Sequence, residues 1–440
     1  MSKKKLYSIF AAIALVLVLG VAAYFMLRTK ADASAALPAD ATAIGRVDLV
    51  RLAAGDNILR RELIRFLPNE DIRQTGIDIS QQGYVFAYQN YFGAILPLKD
   101  ERAFLQQLQI GQNQLSHERG MRWGRVMDNF LLCSDGDKAL VLGPVAEMEM
   151  EQLRPVVYDW MRQTSAPTDN KLFAALEGRS AVLTLATSAA ILPRQFAEKI
   201  FLAMPSDVKL DGSLLIAEFQ EQEKGVRVEL ELKDEDPRLK KYLDSLDKVL
   251  IPLRESHEMP AEDITFCATA GIDGEKLLLL LRQNADLRTK LLGANMIADV
   301  DLMIKSIQGT VNIMQTSKGE HYLQAQLKDN GFMQNVSDWN TGASQSADVQ
   351  FLPAKNNCYI MAYQKHVYYF GAREMRFFAT NAERLAYRNT ELKSVNGENK
   401  LLLNANIGAL LGEAASILPF KPTLRIGMKD VRHATVILGE

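Results

Sequence analysis

The residues best suited to chemistry are five histidines, three cysteines and a few carboxylate clusters, and their spacing limits what they could do. His117, His257, His321, His366 and His433 stand far apart and outside any HExxH, so a metal centre would need ligands gathered wholly by folding. His257 precedes Glu258, but beside Pro260 the pair reads as a solvated loop. No G-x-S-x-G, P-loop or G-x-G-x-x-G is present. Ser134-Asp135-Gly136-Asp137 opens like a calcium loop and then lacks the closing Glu, so it reads as a turn between strands at 130–133 and 139–142. Asp234-Glu235-Asp236 ahead of Pro237 has the composition of a helix N-terminus, where negative charge meets the macrodipole. Gly271-Ile272-Asp273-Gly274 reads as a turn leading into a helix. The sequence therefore predicts no catalytic residue, no metal ligand set and no cofactor, and a non-enzyme.

Cys133, Cys267 and Cys358 are odd in number and form no CxxC, which suggests neither a disulfide framework nor a zinc site and leaves one long-range disulfide as the alternative in an oxidising compartment. Cys267 and Cys358 lie in strand-like runs, where Cys packs as a small hydrophobe, so buried free thiols are expected. The remaining candidates are aromatic. Tyr84, Phe86 and Tyr88 share one face of a strand by the period of two, as do Tyr359 and Tyr363. Exposed, such rings would form a platform for a glycan or peptide; buried, they would be sheet packing. These five residues are the candidate binding surface. Arg373, Arg376, Arg384 and Arg388 with Phe377, Phe378 and Tyr387 imitate a nucleic-acid face, but an amphipathic helix docking its rings on a sheet is the expected reading.

These residues must be positioned by elements outside a membrane. Residues 6–27 form an apolar run without a charge or proline, about 33 Å long as a helix and long enough to cross the hydrocarbon core. Lys3, Lys4 and Lys5 precede it, which favours a cytoplasmic N-terminus and an exported body. The rival reading, a signal peptide cleaved near Ala33 or Ala35, fits less well because the run exceeds an h-region of about 7–15 residues. The expected location is therefore the inner membrane, single-pass, with the C-terminal body periplasmic. Five of the 51 basic residues and none of the 53 acidic ones lie before residue 31, leaving the body at a formal −7. That balance excludes nucleic acid, which needs clustered positive charge.

The division expected is a stub at 1–5, a transmembrane helix at 6–27, a linker at 28–36, and α+β lobes at 37–235 and 236–440. Alternation predicts hairpins at 213–219 with 226–232, at 310–314 with 321–327, and at 424–428 with 432–438. Helices are expected at 102–108, at 145–162 around Pro155, at 237–250 and at 275–292, with a loop at 340–348. Strand-then-helix steps are read at 37–68, 181–202 and 400–418. The fold class is α+β, antiparallel sheets with helices on one face. One internal match suggests related lobes: YVFAYQNYFGA at 84–94 and YIMAYQKHVYYFGA at 359–372, each followed by a helix-like stretch, with three extra residues at the second turn.

The opening of the body resembles a family of uncharacterised Bacteroidota cell-envelope proteins that begin after a signal or lipoprotein segment. Pro38, Asp40, Ala41, Gly76, Ile77, Asp78, Phe86, Pro97, Leu98, Asp100, Phe104 and Leu108 carry the likeness. The lipidated Cys of that family is missing here. The resemblance implies an envelope location and an α+β fold, and carries over no catalytic residue. The expected function is a binding or scaffold component with an envelope protein as partner. An exported hydrolase with a site assembled from distant residues, or a glycan- or peptide-binding module, are the alternatives.

Overall fold

The computed structural model describes residues 32–54, 75–127, 129–191, 201–205, 207–222, 225–234, 236–253, 256–260, 264–343, 349–354, 358–363, 366–382, 387–391, 398–406 and 423–439. The run 6–27 and the helical patterns over 55–66, 192–200 and 407–418 lie outside the described residues, as does the 383–386 stretch. Among the described residues no helix is long and apolar enough to cross a membrane. The chain divides into two compact units, 1–189 with 214–228, and 190–213 with 229–440.

In the first unit β1 (Ala43–Asp48) leads into α1 (Leu49–Ala54), and β2 (Gln82–Tyr88) turns into β3 (Tyr91–Pro97). After α2 (Glu101–Gln107) come β4 (Ser116–Glu118), β5 (Met121–Val126), β6 (Phe130–Ser134) and β7 (Lys138–Gly143). Helices α3 (Glu147–Arg162) and α4 (Lys171–Leu176) precede β8 (Leu183–Ser188) and β9 (Leu214–Gln222). Every pairing is antiparallel, in the order β9-β8-β1-β2-β3-β7-β6-β5-β4.

Helices cover both faces of this sheet, which corrects the one-face expectation. Phe130-Leu131-Leu132-Cys133 and Ala139–Leu142 are apolar without alternation, so neither face of β6 or β7 tolerates water. Leu132 and Val141 pack with Leu49 and Leu52 of α1 and with Phe104 and Leu105 of α2. Leu131, Cys133 and Leu140 pack on the other side with Val157 and Trp160 of α3 and Leu172 of α4. Ala33–Ala36, read as linker, form a 3-10 turn buried in this second layer, capped by Asp32. Four small side chains let that turn lie close against the sheet.

Four of the motif residues that carried the family likeness, Gly76, Asp78, Asp100 and Phe104, hold the entry to β2 and the start of α2. Gly76 has φ +82°, and a Cβ there would strike the Asp100 carbonyl and the Phe104 amide. Its carbonyl accepts from the amides of Lys99 and Asp100, both at 2.8 Å. Asp100 then caps α2 by accepting from the amides of Arg102 (3.0 Å) and Ala103 (3.1 Å). Asp78, fully buried, accepts from the Ser80 amide and hydroxyl and from Gln81, which holds the entry to β2.

The second unit contains the end of β10 (Gly225–Lys233), α5 (Pro237–Val249), β11 (Ser256–Pro260) and β12 (Ile264–Asp273). Helices α6 (Gly274–Gln283), α7 (Ala285–Asn295) and α8 (Val300–Ser306) lead to the hairpin β13 (Ile307–Thr316) and β14 (His321–Leu327). A 3-10 turn and α9 (Val336–Ala343) precede β15 (Val349–Pro353), β16 (Cys358–Tyr363), β17 (His366–Arg373) and β18 (Arg376–Thr380). β19 (Tyr387–Glu391) pairs with β11, and β20 (Leu401–Asn406), β21 (Thr423–Asp430) and β22 (His433–Gly439) close the chain. Nine strands pair antiparallel as β21-β20-β12-β13-β14-β18-β17-β16-β15.

Those nine strands repeat the order of the first unit, position for position. The sequence match, however, falls on hairpins that do not correspond: β2 of the first unit matches β13 in this order, and β16 matches β5. The last pair of the first hairpin is Tyr88 facing Tyr91, and that of the second is Tyr363 facing His366. Gly93 faces Phe86, whereas Gly371 faces Cys358, so the two Phe-Gly-Ala steps occupy different sites.

Five local readings are corrected. Arg376–Thr380 and Tyr387–Glu391 are strands, not an amphipathic helix; Glu374 (φ 49°) and Met375 (φ 61°) take the left-handed conformation of a tight hairpin turn. Residues 275–292 break at Asn284, whose side chain caps α7 through the Leu287 amide at 3.0 Å. Residues 340–343 continue α9. His257-Glu258 and Gly271–Asp273 lie in strands, β11 and β12.

Candidate functional site

Tyr84 and Phe86 are core residues. The α3 helix lays Trp160 against Phe86 and Tyr88: the Phe86 and Trp160 rings meet edge to face with centroids 5.8 Å apart, and Tyr88 meets the same indole at 4.8 Å. Tyr84 packs against Phe173 at 6.2 Å, and burial pushes its phenol above the usual range. Tyr359, half-buried, stacks on Phe370 at 5.6 Å. Its backbone partner row continues to Tyr363, whose side chain lies outside the described residues. Tyr84, Phe86 and Tyr88 are thus brought together under a helix, and Tyr359 packs in the other unit. Among the described side chains, Tyr84, Phe86, Tyr88 and Tyr359 all pack against other rings.

A second cluster joins residues that sequence separates widely. Arg432, in the turn between β21 and β22, donates from Nε and Nη2 to the two carboxylate oxygens of Asp234 at 2.9 and 3.1 Å, and from Nη2 to Asp244 on α5 at 2.8 Å. The guanidinium holds the Asp234 carboxyl below the usual carboxylate range. Lys400 reaches Asp247 of α5 at 2.9 Å, and the His433 ring meets Asp430 at 2.8 Å. Burial opposes the charge on Asp430, but the Arg432 amide and the His433 ring still hold its carboxyl low. Asp236 caps α5 as its position predicted, accepting from the Arg238 amide at 2.7 Å. The network pins α5 to the last hairpin.

The third feature is a surface. The α6–α8 excursion links β12 to β13 and is tied internally by Arg282–Asp301 across α6 and α8 and by the Asp301 amide to Asn295 at 3.0 Å. Only its base packs into the unit, through Leu277, Leu278 and Leu280 of α6 and the half-buried Ile297 and Met303 near the Trp339 cluster. Helix α7 buries none of its own side chains. Leu279, Leu292 and Met296 are exposed, Met296 by 72 %. Sequence reasoning missed this surface because the leucine pattern of 275–292 satisfies a single buried helix equally well.

Comparison with known proteins gives one family and one structure. The family described as Domain of unknown function (DUF4836) matches residues 69–397. No curated protein matches the chain. A solved structure, "Structure of crystal form I of TP0453", is similar over 52 % of this chain and 90 % of its own, at 11 % identity and a TM-score of 0.31.

Proposed function

Because the chain belongs to the family Domain of unknown function (DUF4836), no activity comes with the family, and we propose a function from the surface of the second unit. The protein is a non-enzymatic binding or scaffold component of a bacterial cell envelope. It is held in the inner membrane by residues 6–27, with its body in the periplasm, and it binds another envelope protein through α6–α8. The apolar run and the lysines before it support the anchor.

One observation carries the binding role. Helix α7 is an 11-residue helix with no fully buried side chain; Leu287 and Leu291 are only half-buried. Helices shorter than about 12–15 residues are marginal in water unless an apolar face is packed. Leu292 and Met296 supply apolar area that nothing among the described residues covers, so a second protein surface is the natural occupant.

A photoreactive residue at position 292 of the full chain, in cells of the native host, tests this. One discrete adduct at 292, absent from a probe at the exposed position 374, is expected. Identical adduct patterns at the two positions overturn the reading. Protease added to spheroplasts should digest the body and leave a membrane-bound remnant; a protected body overturns the topology.

A further inference from the structure

The two sheets share a strand order but not a cover. Helices α2 and α9 hold corresponding places in the chain, after β3 and β14, and so mark corresponding faces: Phe104 packs with Leu132 and Val141, and Trp339 with Phe370 and Phe377. The opposite face of the first sheet is sealed by α3 and α4, which join β7 to β8, and Leu131, Cys133, Leu140 and Leu142 on it are at most 1 % exposed. In the second unit the connection from β18 to β20 contributes no helix among the described residues, only β19, which pairs with β11.

The matching face of β15–β18 is apolar all the same. Leu352, Ile360 and Tyr369 stand side by side on one rung, and Ala362 stands beside Val367 on another. Leu352 is 48 % and Val367 44 % exposed, and Ile360 and Tyr369 are half-buried.

Helix α3 shows what fits such a face. Its 16 residues bury Met150, Leu153, Val157, Trp160 and Met161 along one stripe. It runs antiparallel to β5: Arg125 meets Glu147 at 2.7 Å, Arg154 stands over the Trp123 ring and Arg119 over Tyr158. Its C-terminal half thus lies by the β4–β5 turn. At the corresponding end of the second sheet, Arg373 and Arg376 oppose each other across the β17–β18 hairpin, both exposed. No acidic residue occupies a position on this face of β14–β18, and Glu374, at the tip of the turn, is 3.7 Å from Arg373. Two guanidinium groups there favour the negative end of a helix and carboxylates in its last turn.

We propose that the uncovered face of β15–β18 receives an amphipathic helix from a partner protein, lying as α3 lies on the first sheet. The helix carries apolar residues at i, i+3 and i+7 and carboxylates in its last turn, over Arg373 and Arg376. The face is separate from the α6–α8 surface, and neither depends on the other.

A photoreactive residue at position 367 of the full chain, in cells of the native host, tests this, with mass spectrometry to locate the cross-linked stretch. The expected adduct is with another protein, is absent from a probe at the exposed position 148, and falls in a stretch with that apolar spacing and an acidic C-terminal end. A labelled synthetic peptide of that stretch should bind the full-length chain in detergent. Leu352→Lys should weaken it by at least about tenfold without moving the melting temperature. Arg373→Glu with Arg376→Glu should weaken it by about tenfold at low salt and less at about 0.5 M salt. Leu292→Lys should leave it unchanged. An adduct within the chain means that its own residues cover the face, and overturns the proposal. So does an adduct with a second copy or with lipid, or no adduct. Peptide binding that survives Leu352→Lys reads the micelle, and binding indifferent to the arginine reversals removes the charge match; either overturns it too.

Discussion

Gly93 stands directly opposite Phe86 across the β2–β3 ladder, and the Phe86 ring fills the space that a Gly93 side chain would need. The glycine is what allows an aromatic ring to lie over that rung of the sheet and reach Trp160 of α3. Gly93→Ala should therefore destabilise the protein by about 1–3 kcal/mol through overpacking. Adding Phe86→Leu to Gly93→Ala should recover part of that loss, because the smaller side chain vacates the clash. Phe86→Ala alone should cost about 3–5 kcal/mol. Urea unfolding of the four proteins checks the set, and a near-neutral Phe86→Ala would return the ring to the role of a ligand platform.

Arg432→Met should cost about 2 kcal/mol, since it removes hydrogen bonds to a charged, largely buried Asp234. The pH dependence follows from the depressed carboxyl. In the unfolded chain Asp234 titrates near its ordinary value of about 3.9, and in the folded protein lower. The stabilisation is thus complete above about pH 5 and is lost as pH falls through the folded value. The gap between wild type and Arg432→Met should be constant from neutral pH down to about pH 5 and shrink below it. Thermal melts across that range would show the trend, and a gap that widens in acid would contradict it.

The three cysteines differ in burial: Cys133 and Cys267 are buried and Cys358 is half-buried. Burial pushes the Cys133 thiol up to about 12 and raises Cys267 and Cys358 as well. The thiolate is the reactive form, so Cys133 and Cys267, both buried, should resist alkylation in the native protein. Mass spectrometry after brief iodoacetamide treatment should find modification at Cys358 first. Modification of Cys133 should require denaturant.

Leu292→Lys and Met296→Lys alter exposed side chains and should each change stability by no more than about 0.5 kcal/mol. The same changes should abolish the adduct formed from a photoreactive residue at 279. A large drop in melting temperature would mean that α7 is covered within the chain itself and is no partner surface.

Much of the local structure was legible because it obeys short-range rules. The Asp236 cap, the 135–137 turn, the β13–β14 hairpin and the kink-tolerant helix around Pro155 all follow from neighbours in sequence. The failures have a common cause. Whether a face such as that of β6 is covered depends on helices contributed by residues 49–54 and 147–162, which period-two counting on one strand cannot report. Arg432 and Asp234 are 198 residues apart, so no spacing rule links them. The YVFAYQ match drew the eye to composition shared by two hairpins, whereas the correspondence between the units lies in strand order, which leaves little trace in residue identity.

Residues 190–213 leave the first unit after β8, supply part of the second, and return for β9. Phe201, Met204, Val208 and Leu210 are buried there, and the carbonyls of Leu202 and Met204 accept from Tyr242 and Asn284. Anyone wishing to take the molecule apart meets a practical obstacle in this exchange of chain. No single stop codon or protease cut yields either half intact: a fragment ending at 235 would carry four apolar anchors with nothing to hold, and one beginning at 236 would lack them. Genetic dissection calls for a splice that removes 190–213 from the first half and grafts it ahead of the second.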